Sequence, residues 1–240
     1  VLGLAPDEVD AILLSLRVAS VATLASLPLA LGVALVLARG RFPGRILVDG
    51  IVHLPLVLPP VVTGYLLLIT FGRRGLVGGF VEETFGLVFS FRWTGAALAA
   101  GVMGFPLMVR AMRLSIEAVD RRLEQASLTL GRGPIDTFFR ITVPLAFPGI
   151  LAGAVLAFAK ALGEFGATIT FVSNIPGETR TLPTAIYTFT QVPDGDAGAA
   201  RLVAVSIAIS LVALVLSEIL SRRMSRRLPR AHNIVGRADS

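Results

Sequence analysis

The sequence predicts an all-α membrane protein of about five transmembrane helices, and three observations carry that prediction. The 240 residues are 54% hydrophobic and only 16% charged, with a mean hydropathy of +0.79. The apolar residues gather into five runs, each near the roughly 20 residues that cross a bilayer core. The arginines sit between those runs. A chain this apolar has too little polar surface to cover a soluble core, so most of it must face lipid. Strands are excluded, because an open sheet edge in hydrocarbon leaves backbone donors and acceptors without partners.

The runs cover residues 11–38, 48–71, 94–116, 145–172 and 202–220, behind a segment over residues 1–10 and ahead of a basic tail over residues 222–240. The first run is too long for a removable signal peptide and is expected to be a span. Orientation follows from arginine placement. One set of connections holds Arg39, Arg41, Arg45, Arg110, Arg113, Arg121, Arg122, Arg132 and Arg140, and the tail adds Arg222, Arg223, Arg226, Arg227, Arg230 and Arg237. The other set holds Arg73, Arg74, Arg92, Arg180 and Arg201. Fifteen against five puts the first set and the C-terminus in the cytoplasm and the N-terminus outside.

The net charge of +6 and pI near 11.1 do not indicate nucleic acid, since the basic residues share no solvated face with stacking aromatics. The tail is expected to touch anionic lipid. With no cysteine the chain has no disulfide and no thiolate metal site. Two histidines, His53 and His232, and one acid deep inside a span, Glu164, assemble no catalytic or metal constellation, which disfavours a membrane enzyme.

The second span carries Pro55, Pro59, Pro60, Thr63 and Gly64 in LPLVLPPVVTG, and Phe105-Pro106 is expected to interrupt the third. Such kinks suit helices lining a moving pathway, or they serve packing alone. Lys160 and Glu164 lie one turn apart in the fourth span, close enough to pair across about 6 Å. Two readings stand: a gate where Lys160 offers positive charge to a passing oxyanion, or a neutralised pair that locks the helix to its neighbours. Arg17, near the outer end of the first span, is expected to snorkel.

The polar connection over residues 117–144 has helix grammar of its own. Glu124, Gln125 and Ala126 are expected to close one helix. Gly131 supplies the turn and Pro134 opens a second short helix, whose apolar tip is Phe138, Phe139 and Ile141. The phenylalanines are expected to dock onto a partner, to pack on the chain's own helices, or both.

Glu124, Gln125, Ala126, Gly131, Val143 and Pro144 resemble the Glu-Ala-Ala coupling loop of type I ABC importer permeases, with Gln125 departing from the second alanine. LPLVLPPVVTGYLLL at 54–68, FGRRG at 71–75, FPLMVRAMRLSIEAVDRRLEQA at 105–126 and LGEFGATITFVSNIPGETRTLPTAIY at 162–187 are similar to molybdate importer permeases. The LGEFGA core is shared with sulfate/thiosulfate permeases, the alternative substrate class. The resemblance implies a permease domain over residues 11–221 with the type I importer fold, working by alternating access in the cytoplasmic membrane of a prokaryote. It also implies a second copy of the chain, two cytoplasmic ATP-binding cassette subunits and an external oxyanion-binding protein. The transported ligand would be molybdate or tungstate. No cofactor is expected in this chain: the sequence has no GxxxxGK[ST] loop and its one lysine is Lys160, so ATP and magnesium belong to the partner ATPase. A stand-alone channel or carrier would not need such a loop. The long stretches 173–201 and 72–92 on the outer side are expected to receive the binding protein.

Overall fold

The computed structural model describes residues 3–225, which form eleven α-helices and one π-helical turn, with no strand among the described residues. Helix α1 (Pro6–Arg39) opens with Pro6 in its first turn, where a missing N–H costs nothing, and the Glu8 carboxylate accepts a 2.8 Å hydrogen bond from the Ala5 amide. Residues 6–10, expected as part of an external segment, are thus the first turns of α1. The same Glu8 is buried and holds Arg201 at 2.7 Å, which ties the start of α1 to the last span.

The second apolar run is not one straight helix. It splits into α2 (Arg45–Val57) and α3 (Pro60–Phe71), which meet at 113°. Pro59 drives Leu58 out of the helical region to ψ 142°, and Pro60 does the same to Pro59 at ψ 135°. Two consecutive extended residues turn the chain where one proline would only bend it. The third run behaves oppositely. Helix α5 (Trp93–Glu117) passes through Pro106 unbroken, so the expected interruption there is absent. A single buried proline forfeits one ladder bond, and packing on both sides holds the two halves in line.

Between them lies α4 (Leu76–Phe85), and after α5 come α6 (Arg121–Thr129) and α7 (Pro134–Thr137). A π-turn (Phe138–Thr142) then leads without a gap into α8 (Val143–Leu162). The run expected as a single span over 145–172 breaks at Gly163–Phe165 and resumes as α9 (Gly166–Val172). Helices α10 (Leu182–Phe189) and α11 (Asp196–Ser225) complete the described residues. Among the described residues, four helices are long and apolar enough to cross a membrane, five if the bent α2–α3 pair counts as one span. Of the basic tail, residues 226–240 lie outside the described residues.

Helix α5 is the centre of the bundle, with α1 on one side and α8 on the other. Lipid tails are as apolar as the helices, so association in a membrane depends on close packing through small residues. On α8, Gly149 lies against Ser115, Gly153 against the Met108 backbone and Ala157 against Gly104, so a stripe of small side chains lets two backbones touch. Alanines 11, 19, 22, 96, 99 and 100 do the same between α1 and α5. Helix α11 instead leaves Ile207, Leu211, Val212 and Leu214 exposed, as a lipid-facing helix does.

Replacing Gly149 with leucine would drive a side chain into Ser115 and pry α5 from α8, at a cost of about 1–3 kcal/mol. The expected outcome is a lower thermal midpoint for the detergent-solubilised chain; an unchanged midpoint would contradict the close approach.

Candidate functional site

The 117–144 connection is a compact helix-turn-helix. Asp120 caps α6 by accepting a 2.9 Å hydrogen bond from the Arg122 amide, so the helix starts at Arg121 and runs to Thr129. Glu124, Gln125 and Ala126, expected to close a helix, lie inside α6; the cap at Asp120 sets the start, and the stop comes later. That stop is Gly131, at φ +84°. Its amide reaches the Leu128 carbonyl and the Arg132 amide reaches the Ser127 carbonyl, the double closure of a left-handed glycine stop. Pro134 then opens α7, as the sequence predicts.

Pro144 explains the π-turn. It has no N–H to offer the Arg140 carbonyl, and its ring would crowd that oxygen in a regular helix. The turn widens instead, and the Val143 amide reaches back five residues to Phe138. Because the helix widens rather than ends, α7 and α8 form one continuous rod from Pro134 to Leu162.

Glu124 points inward. Its Oε1 accepts from Arg39 Nη2 at 3.0 Å and from Thr142 Oγ1 at 2.8 Å. Arg39 Nη2 also donates to the Val119 carbonyl at 3.0 Å. One carboxylate therefore fastens α6 to the end of α1 and to the start of α8. Beneath the turn, the buried Ser127 and Thr137 hydroxyls pair at 2.9 Å and pin α6 to α7. Gln125 and Ala126 face outward from the same helix.

The apolar tip differs from the one expected. Leu130, Ile135 and Phe139 are 82%, 74% and 63% exposed. Phe138 and Ile141 are half-buried, and the Phe138 ring meets Phe139 edge-on at 5.1 Å. Phe138 thus packs on its own chain while Phe139 faces outward. The periodicity of a π-turn differs from that of an α-helix, which is why adjacent phenylalanines could not be assigned faces from spacing.

About 30 Å along α8, the length of its 20 residues, the second set of candidates comes together at two helix breaks. Gly166, at the start of α9, lies against the Pro60 ring, and Gly64 lies against the Ala167 backbone. Pro60 and Thr63 therefore sit beside the α8–α9 break. Thr63 is buried and its hydroxyl has no partner among the described residues, while Pro59 and Pro60 remain exposed. Lys160 belongs to the last turn of α8, and its Nζ lies 2.6 Å from Glu164 Oε2. The pair does not share a continuous helix face as the sequence suggested, because Glu164 lies beyond the end of α8. Its other oxygen accepts from the Ala167 amide at 3.0 Å, capping α9. The side chain of Glu164 is 1% exposed and that of Lys160 31%, so the acid is sealed and the base keeps an open side. The pair bridges the break and joins its two halves.

Several contributors were missed from the sequence. Arg39 and Thr142 are partners of Glu124 that spacing alone does not reveal, since the loop also carries Glu117, Asp120 and Asp136 and nothing in the charge pattern singles out Glu124. In the 173–201 stretch, Arg180 donates to Asn174 at 3.1 Å, Asn174 donates to Thr188 at 2.8 Å, and the Leu182 amide donates to Ser15 of α1 at 2.6 Å. The segment is a bonded cap on the bundle rather than a loose connector.

The arrangement defines a helical membrane bundle that presents a braced apolar knob at one end and two apposed helix breaks within. The chain belongs to the family described as "Binding-protein-dependent transport system inner membrane component", whose model matches residues 26–226. It is 60% identical over 204 residues to the "Molybdenum transport system permease protein ModB" of Escherichia coli (strain K12), covering 85% of this chain and 89% of that one. The protein of the same name from Haemophilus influenzae is 56% identical, over 83% and 87% of the two chains. Among solved structures, the MetNI methionine ABC transporter in inward-facing form superposes with a TM-score of 0.68 at 15% identity, covering 90% of this chain and 95% of that one. A bacterial ABC transporter involved in alginate import gives 0.68 at 19% identity, over 94% and 81%. The fold is that of ABC importer permeases.

Glu124→Ala would strand the Arg39 guanidinium and the Thr142 hydroxyl, for an expected loss of about 1–3 kcal/mol. Trypsin should then cut faster at Arg121, Arg122, Arg132 and Arg140; an unchanged cleavage rate would deny the brace. Gly131→Ala has open space for its methyl group but must adopt a left-handed backbone, costing about 1–2 kcal/mol locally, and should leave the global melting transition nearly in place.

Proposed function

We propose that this chain is the membrane-spanning permease subunit of an ATP-driven importer that carries molybdate, or tungstate, into the cytoplasm. The observation that carries the substrate is the 60% identity, over 85% of the chain, to a molybdenum transport permease. The working unit is a pair of these chains with two ATP-binding cassette subunits and an external binding protein. Support for the partners comes from the ABC transporters that share the fold, one of them solved with a periplasmic protein bound. ATP and magnesium act in the cassette subunits. The permease domain is residues 11–221, with the N-terminus outside and the Arg-rich loop end in the cytoplasm.

In this reading the knob of Leu130, Ile135 and Phe139 seats in a groove of the cassette subunit. Gly131 and Pro134 set its shape, Glu124 braces it, and Gln125 and Ala126 lie on its open face. Phe138 supports Phe139 from behind, and Pro144 keeps the rod continuous into α8. Closure of the cassettes on ATP draws two such knobs together, and the paired rods reorient the pathway between its two openings. The apposed breaks at Pro59, Pro60 and Thr63 and at Lys160 and Glu164 form the gate. Glu164 neutralises Lys160 on one side, and the open side of Lys160 faces the passing oxyanion.

The test is radiolabelled molybdate uptake into proteoliposomes holding this chain with its cassette and binding-protein partners, ATP inside and excess sulfate outside. ATP-dependent uptake that ignores sulfate is expected; sulfate-sensitive uptake would move the assignment to the sulfate class, and ATP-independent flux would end the coupling argument. Phe139→Asp should cut uptake at least tenfold with the chain at normal abundance, on the order expected for a buried aromatic anchor. Lys160→Ala should lower uptake while leaving cassette binding intact, and full uptake would remove Lys160 from the gate.

A further inference from the structure

An apolar cavity lies away from both the knob and the breaks. It is a slot of about 570 Å³ between α1, α2 and α5, lined by Val21, Ala25 and Leu29 of α1, Pro55 of α2, and Trp93 and Phe105 of α5 among others. At its mouth, one turn before Val21, the Arg17 guanidinium lies 3.7 Å from the centre of the Trp93 ring. Arg17 is exposed and, among the described residues, stacks on Trp93 without an ion pair. A cation at this level needs an anion or water, and an apolar slot directly beneath it needs an apolar filling.

The dimensions choose between two fillings. From Trp93 to Phe105 the slot follows α5 for twelve residues, about 18 Å. That is close to one leaflet of a hydrocarbon core about 30 Å thick. A transmembrane helix would run through both leaflets, about 30 Å. The slot is therefore too short for a transmembrane helix, and its length matches one leaflet's reach of an acyl chain. The aromatic ring and the free guanidinium stand where the headgroup of that chain would be.

We propose that the slot is a binding site for an anionic phospholipid, with one acyl chain between α1, α2 and α5 and its phosphate on Arg17. The leaflet is the outer one if the orientation proposed above holds; the site itself does not depend on it. Bound there, the lipid fills the wedge between α2 and the α1–α5 pair. Helix α2 meets α5 through the half-buried Val48 and Val52 and the Asp49–Arg113 ion pair near its start, and buries no residue completely.

Trp93 is the only tryptophan in the chain, which makes it a direct reporter. The full-length chain in vesicles is titrated with phosphatidylglycerol or phosphatidylcholine brominated in the acyl chain, and Trp93 fluorescence is followed. The expected result is that phosphatidylglycerol quenches at about one-fifth of the mole fraction that phosphatidylcholine needs, the preference one basic residue near a membrane surface confers. Arg17→Gln should make the two lipids equivalent. Ala25→Phe, which fills the slot from an exposed position, should weaken quenching by phosphatidylglycerol while leaving helical content unchanged. Equal quenching by both lipids in the unaltered chain, or a preference that survives Arg17→Gln, would overturn the headgroup assignment. Quenching by neither lipid would mean that a second copy of the chain covers the slot, and would overturn the proposal entirely.

Discussion

The position of the knob depends on a carboxylate shared between a guanidinium and a hydroxyl. Glu124 takes hydrogen bonds from Arg39, the last residue of α1, and from Thr142, the last residue before α8. Neither contact is between sequence neighbours, so the three helix ends meet only once the bundle has formed. Half-buried, the ion pair is shielded from salt better than a surface pair and is bound to a polar neighbour on each side. The apolar residues of the turn can then stay exposed without collapsing onto the bundle, because the polar side of the same turn already has its partners.

The bundle above is ordered by a different constraint. Lipid offers helices no hydrophobic reward for meeting, so α1, α5 and α8 meet through glycine and alanine at backbone distance. The breaks follow the same rule. Pro60 meets Gly166 and Gly64 meets Ala167, so each half-helix is seated on the small residues of the other. The Ala167 amide, freed at the α9 break, is capped from within by Glu164, which satisfies it where a bilayer would offer no water.

Much of this was legible in the sequence. The five apolar runs correspond to α1, the α2–α3 pair, α5, the α8–α9 pair and α11, and the Gly131 and Pro134 turn is where its residues predict it. What stayed hidden was the consequence of each breaker. One proline in α5 left the helix whole, two in tandem after α2 turned it by 113°, and the break after α8 involved no proline at all. The signal there is an acid between glycines in LGEFG, a cap at the start of a new helix that spacing alone presents as a charge within an old one. Glu124 could be recognised as part of a pattern but not given a direction. Direction came from Arg39, 85 residues away, and from a π-turn that shifted every face after Phe138. Arg17 and Trp93 are likewise strangers in sequence and neighbours only in the fold.

The π-turn has a mechanical meaning. Had Pro144 ended one helix and begun another, a push on the knob would have been absorbed at a flexible joint. Instead the rod from Pro134 to Leu162 is unbroken, and its α8 section alone is about 30 Å long. Tilted by about 10° at its Thr142 end, such a beam carries its far tip sideways by about 5 Å, the diameter of a small ion. One proline that widens a helical turn, rather than cutting it, turns the 29 residues from Pro134 to Leu162 into a stiff arm whose far end carries Lys160.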